Sequence, residues 1–158
     1  MSATINLLPV GTEAPNFSVK DHKGKTRTLS EFRGKKVVLY FYPQDDTETC
    51  TKEACNLRDN HKLLKKNGFV VLGVSPDSDK SHQKFITKYD LPFALLADTE
   101  RDIINSYGVW GEKTTFGRTY DGVHRVTYVI DEEGKIAHVI YPVESGRHAQ
   151  QVMALYEA

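Results

Sequence analysis

Two apolar runs, Lys36 to Tyr42 (KVVLYFY) and Phe69 to Val74 (FVVLGV), constrain the fold more than any other feature. Neither alternates in a way that would leave one face to water, so each reads as a strand covered on both sides. Between them, from roughly Thr49 to Lys66, Cys50, Ala54, Leu57, His61 and Leu64 recur at helical spacing, and Asn67-Gly68 closes the stretch. A buried strand, a helix and a second buried strand predict a parallel βαβ crossover.

The rest of the chain extends that unit. Val126 to Asp131 (VTYVID) reads as a third strand, and Lys135 to Tyr141 (KIAHVIY) follows DEEG as its hairpin return. Shorter strands are expected near Thr26 to Leu29 and Ala94 to Leu96, with helices over Asp79 to Tyr89, Glu100 to Tyr107 and Gly146 to Glu157. Gly111 to Gly122, rich in glycine and polar residues, reads as a loop. The prediction is an α/β fold with a mixed central sheet flanked by helices, consistent with a thioredoxin-like layout. No repeat, low-complexity tract or linker divides the 158 residues, so a single domain over 1–158 is expected.

Composition narrows the function. With 21 basic and 21 acidic residues the formal net charge is zero, which argues against a nucleic-acid footprint or a polybasic membrane arm. No apolar run approaches the ~18 residues of a membrane span, and the first residues lack a secretory pattern. The expected location is the cytoplasm. Six histidines, at 22, 61, 82, 124, 138 and 148, form no i, i+4 pair and no metal-ligand spacing, so no metal is expected. The same chain lacks the phosphate-binding glycine loop of nucleotide-binding proteins. Its single tryptophan, Trp110, reads first as core or edge packing.

The chemistry rests on two cysteines, Cys50 and Cys55, in TCTKEAC. Their C-x4-C spacing is neither the C-x-x-C of dithiol oxidoreductases nor half of a usual zinc site. Cys50 falls in the first turn of the predicted helix, where unpaired N–H groups favour a thiolate. Asp45, Asp46 and Glu48 oppose that, so a cation must come from elsewhere, and Arg125 at the start of VTYVID is the candidate. Placement alone leaves a small buried hydrophobe as an equal reading of Cys50, and an incidental flank residue as one for Cys55. In an unbroken helix, five residues separate Cα atoms by roughly 8.7 Å. A disulfide needs less than about 7 Å, so if the two cysteines pair, the first turns of the helix must unwind.

FYPQDDTETCTKEAC contains P-x-x-x-T-x-x-C as Pro43, Thr47 and Cys50, with Cys55 following. This resembles the active site of a peroxiredoxin, and the C-x4-C resembles its bacterioferritin-comigratory-protein or peroxiredoxin Q subgroup. GTEAPNFSV, CNLRDN, GVWGEK and TYDGVHRVTYVIDEEGKI extend the likeness from about Leu8 to Tyr156. The resemblance implies a thiol peroxidase of antioxidant defence, acting on hydrogen peroxide or organic hydroperoxides. Cys50 would be the nucleophile, Thr47 would orient the peroxide, and Arg125 would stabilise the thiolate and the leaving oxygen. Pro43 would shield the sulfur. Cys55 would be the resolving thiol of an internal disulfide, recycled by thioredoxin or glutaredoxin. No cofactor is implied, and a monomer suffices.

Each role has a plainer counterpart: Thr47 as a helix cap, Pro43 as a strand end, Arg125 as a surface cation. The chain also departs from the subgroup's usual T-P-G-C, reading Thr47-Glu48-Thr49-Cys50, which loses a stiff turn and adds a negative charge. Two other classes remain open on the residues alone. A dithiol oxidoreductase would need C-x-x-C, and a binding or holdase-type protein would be indifferent to replacement of Cys50.

Overall fold

The computed structural model describes residues 5–156. A five-stranded mixed sheet forms its centre, built from β3 (Lys36–Phe41), β4 (Phe69–Ser75), β5 (Ala94–Ala97), β8 (Val126–Ile130) and β9 (Ile136–Ile140). The order is β5-β4-β3-β8-β9. β3 runs parallel to β4 and β4 to β5, while β8 is antiparallel to both β3 and β9. The expected mixed α/β sheet is therefore present, with its two apolar runs as central neighbours.

Strand alternation sorts the core into two layers. Val37, Leu39 and Phe41 join Val126, Tyr128 and Ile130 on one face, against Ile103, Ile104 and Tyr107 from α4 (Asp102–Ser106) and its end. Val38, Tyr40 and Tyr42 face the other way. There they meet Cys50, Ala54 and Leu57 of α1 (Glu48–Asp59), Phe85 of α3 (Asp79–Tyr89), and Ala149 and Val152 of α5 (His148–Ala154). Arg125 precedes Thr127 and Val129 by two and four residues, so the period of two directs it to the α1 face. Gly73, opposite Tyr40 in the parallel pairing, is needed by packing: a Cβ there would lie 2.8 Å from the Tyr40 ring.

Two expectations are corrected. The helix expected over Thr49 to Lys66 is two helices, α1 and α2 (His61–Lys66), interrupted at Asn60. The Asn60 side-chain amide donates to the Asn56 carbonyl at 2.8 Å, the local competition with backbone that makes asparagine a helix breaker. The second correction concerns the expected loop from Gly111 to Gly122, which is a hairpin of β6 (Trp110–Thr115) and β7 (Arg118–Val123). Its two-residue turn, Phe116-Gly117, has φ of 53° and 77°, the left-handed pair that a tight hairpin turn needs. Phenylalanine in the first turn position hid the usual Asn-Gly signal.

At the chain's start a small two-stranded sheet joins β1 (Ser18–Lys20) and β2 (Thr26–Thr28). The C-terminal helix expected over Gly146 to Glu157 is a short turn at Ser145–Arg147 followed by α5, and Glu157 lies outside the described residues.

Candidate active site

Cys50 sits in the first turn of α1, whose N-cap residue is Thr47, and it is buried. The guanidinium of Arg125 donates to its Sγ from Nη2 at 3.3 Å. Sequence spacing of 75 residues is closed by the sheet, because β8 lies beside β3 and feeds the same face. Both cysteines are free thiols, Cys50 buried and Cys55 half-buried.

Arg125 also donates from Nη1 to Glu53 Oε1 at 2.8 Å. Glu53 follows Cys50 by three residues and so lies on the same helix face, fully buried. Its second oxygen, Oε2, has no hydrogen-bond partner. Burial pushes the Glu53 carboxyl up to about 7, against the pull of Arg125. For Arg125, burial works against the charged form, but Glu53 and the Cys50 sulfur outweigh it and hold the guanidinium above its ordinary range. One cation is thus shared by a sulfur and a carboxyl.

Behind Glu53 stands His148, at the start of α5, with Nε2 3.7 Å from Oε2 and no exposed surface. Its Nδ1 lies 2.9 Å from Gln151 Oε1, which also accepts from the Glu144 amide, so that oxygen is an acceptor and Nδ1 carries the hydrogen. Nε2 accepts from the Thr127 hydroxyl at 2.7 Å. Burial lowers His148 to about 4, so its ring is neutral near pH 7.

The loop entering α1 is held by α3. Asp45 is buried and accepts from the Tyr42 hydroxyl at 2.6 Å and the Ser81 hydroxyl at 2.8 Å, with His82 Nδ1 2.7 Å away. Exposed Asp46, in the left-handed region at φ 60°, accepts from Lys88 Nζ and the Tyr89 hydroxyl. Asp45 and Asp46 each have their own donors on α3, whereas Glu48 has none among the described contacts.

His82, Asp45 and Asp77 bring ligand atoms within 4.8 Å of one another, a cluster that sequence spacing did not reveal. Its atoms are already used. His82 Nε2 faces the Leu96 carbonyl at 2.9 Å, Asp77 accepts from Ser75 and the Asp45 amide, and the group reads as a clamp rather than a metal site.

Thr47 is the N-cap by backbone, but its side chain makes no cap; its hydroxyl donates to the Gln44 carbonyl at 3.3 Å. Half-buried Pro43 lies two residues past the end of β3 in the same loop, while Glu48 and Thr49 are exposed. Trp110 packs against the core edge with the Arg101 guanidinium 4.3 Å above its ring. The structure therefore joins Cys50 and Arg125 directly. Glu53 and His148 were missed, although the i, i+3 spacing from Cys50 to Glu53 was a signal.

The sequence pattern of the AhpC/TSA family matches residues 10–139. Peroxiredoxin Bcp of Escherichia coli K12 is 43% identical over 149 residues, covering 94% of this chain and 96% of the relative. Peroxiredoxin Bcp of Bacillus subtilis is 44% identical over 129 residues, 82% of each chain. Among solved structures, a Xanthomonas campestris bacterioferritin comigratory protein studied for its alkyl peroxide reduction activity superposes with a TM-score of 0.85. It is 30% identical and covers 93% of this chain and 96% of its own.

Proposed function

We propose, from the premise that the chain belongs to the AhpC/TSA family and is a peroxidase of the peroxiredoxin Bcp type, that Cys50 is its peroxidatic nucleophile. The observation that carries this reading is the Arg125 guanidinium on the Cys50 sulfur in the first turn of α1. A cation and a helix N-terminus both favour the thiolate, which is the attacking species. The substrate is hydrogen peroxide or an organic hydroperoxide. The thiolate attacks one peroxide oxygen, the O–O bond breaks, and Cys50 becomes a sulfenic acid while hydroxide or alkoxide leaves. Arg125 stabilises the charge that develops on that leaving oxygen. Thr47 orients the peroxide from the loop at the head of α1, and Pro43 restricts water at the sulfur.

Cys55 then condenses with the sulfenic acid to give an internal disulfide and water. An intact α1 holds the two Cα atoms too far apart for that bond, at roughly 8.7 Å, so the helix start unwinds first. Thioredoxin, or glutaredoxin, reduces the disulfide by exchange. The cycle needs one domain, 1–158, one copy of the chain and a reducing compartment, the cytoplasm. Cys50→Ser abolishes peroxide turnover in this reading; unchanged turnover would sink it. Cys55→Ser keeps the first oxidation and loses recycling by thioredoxin, and full recycling would remove Cys55 from the cycle.

A further inference from the structure

We propose that Glu53 is a positioning residue that holds a proton behind Arg125 while Cys50 is a thiolate and releases it when Cys50 becomes a sulfenic acid. The first oxidation then draws no net proton from solvent. The inference rests on the reading of Cys50 as the peroxidatic thiol and concerns how the site keeps its charge balanced.

The geometry places two acids on one cation. Arg125 reaches Cys50 Sγ at 3.3 Å and Glu53 Oε1 at 2.8 Å, and both partners are buried. A single guanidinium balances one negative charge, and a second buried anion beside the first is strongly disfavoured. Among the described residues no other cation is in hydrogen-bond contact with the pair, and burial disfavours the charged form of Lys113, the one further cation whose charge interacts with Cys50. Tyr40, on β3, is a phenol that burial keeps protonated. His148, on α5, has its hydrogen on Nδ1 directed at Gln151 and offers Glu53 none. Lys113, on β6, donates its ammonium to the Val123 carbonyl. The unpartnered Oε2 fits a protonated carboxyl, since a bare anionic oxygen with no donor is the costlier state. The rise of the Glu53 carboxyl to about 7 agrees with this.

The step balances. The thiolate forms a bond to one peroxide oxygen, which keeps its hydrogen and becomes the sulfenic hydroxyl. The O–O bond breaks, sulfur is oxidised by two electrons, and the peroxide is reduced. The leaving oxygen requires one proton, and Glu53 gives up one as Arg125 turns wholly to its carboxylate. Thiolate, hydroperoxide and carboxylic acid thus yield sulfenic acid, alcohol or water, and carboxylate. When Cys50 is later regenerated as a thiol and ionises, its proton restores the Glu53 carboxyl.

The test uses Cys55→Ser protein, in which oxidation stops at the sulfenic acid, with one equivalent of hydrogen peroxide at about pH 6, below the Glu53 value. Infrared difference spectra should lose the C=O stretch of a protonated carboxyl as the mass rises by one oxygen, and an indicator dye should report almost no proton uptake. With Glu53→Gln added, the oxygen gain should proceed without the carboxyl loss. An oxygen gain with the carboxyl band unchanged overturns the inference, as does a band loss that persists with Glu53→Gln or an uptake near one proton in the Cys55→Ser protein. The Cys55→Ser protein alone decides the first and third outcomes, so the result does not depend on the double variant folding. If Cys50 gains no oxygen, the peroxidatic reading itself fails, which is a different result.

Discussion

Two buried carboxylates flank the start of α1, each beside a buried histidine, and they are built in opposite ways. Asp45 has three partners, from Tyr42, Ser81 and His82, and its imidazole neighbour is 2.7 Å away. Glu53 has one donor, Arg125, and its imidazole neighbour stands 3.7 Å off with its ring nitrogens committed to Thr127 and Gln151. Both are buried, Glu53 completely and Asp45 nearly so. The number of donors differs, and it decides whether a buried carboxylate fixes structure or remains free to change charge. The Asp45 group clamps the entry loop to α3, and the Glu53 group is joined through Arg125 to the Cys50 sulfur.

The comparison can be broken most sharply at its rigid end. His82→Ala removes one partner of a buried pair and should cost about 3–5 kcal/mol of unfolding free energy. A loss below about 1 kcal/mol in denaturant titration would deny that the pair is a clamp. Next in size, Arg125→Gln should lower kcat/KM for hydrogen peroxide by about 10²–10³ while the far-ultraviolet circular dichroism stays unchanged. An equal loss from a neighbouring surface arginine would remove the special status of this one.

The pH dependence sharpens the labile end. Glu53, raised from 4.5 to about 7, contributes stability that is full below pH 4.5 and is lost as pH rises through 7. His148, lowered from 6.5 to about 4, contributes stability that is full above pH 6.5 and is lost as pH falls through 4. Across the overlap the slopes oppose, so the unaltered protein should show a nearly flat profile there. Glu53→Gln should leave a loss of about 3 kcal/mol on acidification from 6.5 to 4, and His148→Gln a loss of about 3 kcal/mol on raising pH from 4.5 to 7. Chemical unfolding at several pH values reads both slopes, and equal flat profiles in both variants would contradict the assignment. The smallest effect belongs to Ser81→Ala, which removes one of several donors to Asp45 and should cost about 1 kcal/mol. Thermal unfolding measures it, and a loss as large as that of His82→Ala would mean the hydroxyl, not the imidazole, carries the clamp.

Much of the fold was legible because buried parallel strands leave long apolar runs, and β3, β4, β8 and β9 were found within a residue or two of their ends. The β6–β7 hairpin was not, because a phenylalanine occupies a left-handed turn position that sequence patterns assign to asparagine or glycine. The break at Asn60 depends on a side-chain hydrogen bond that periodicity cannot register.

At the site, Cys50 and Arg125 were legible because the helix start and the strand start each announce themselves. The Asp45–His82 and Glu53–His148 pairs were not, since 37 and 95 residues separate their members and only the packing of α3 and α5 on the sheet brings them together. Thr47 shows a subtler limit: its position as N-cap was readable, but its hydroxyl turns to Gln44 instead of the helix.

The most direct test of the account is an intact-mass and free-thiol count on fully reduced protein after one equivalent of hydrogen peroxide. Both thiols and two hydrogens should be lost, without dimerisation, as Cys50 and Cys55 join within one chain. A stable gain of one oxygen with Cys55 still free, or no rapid change at all, would contradict it.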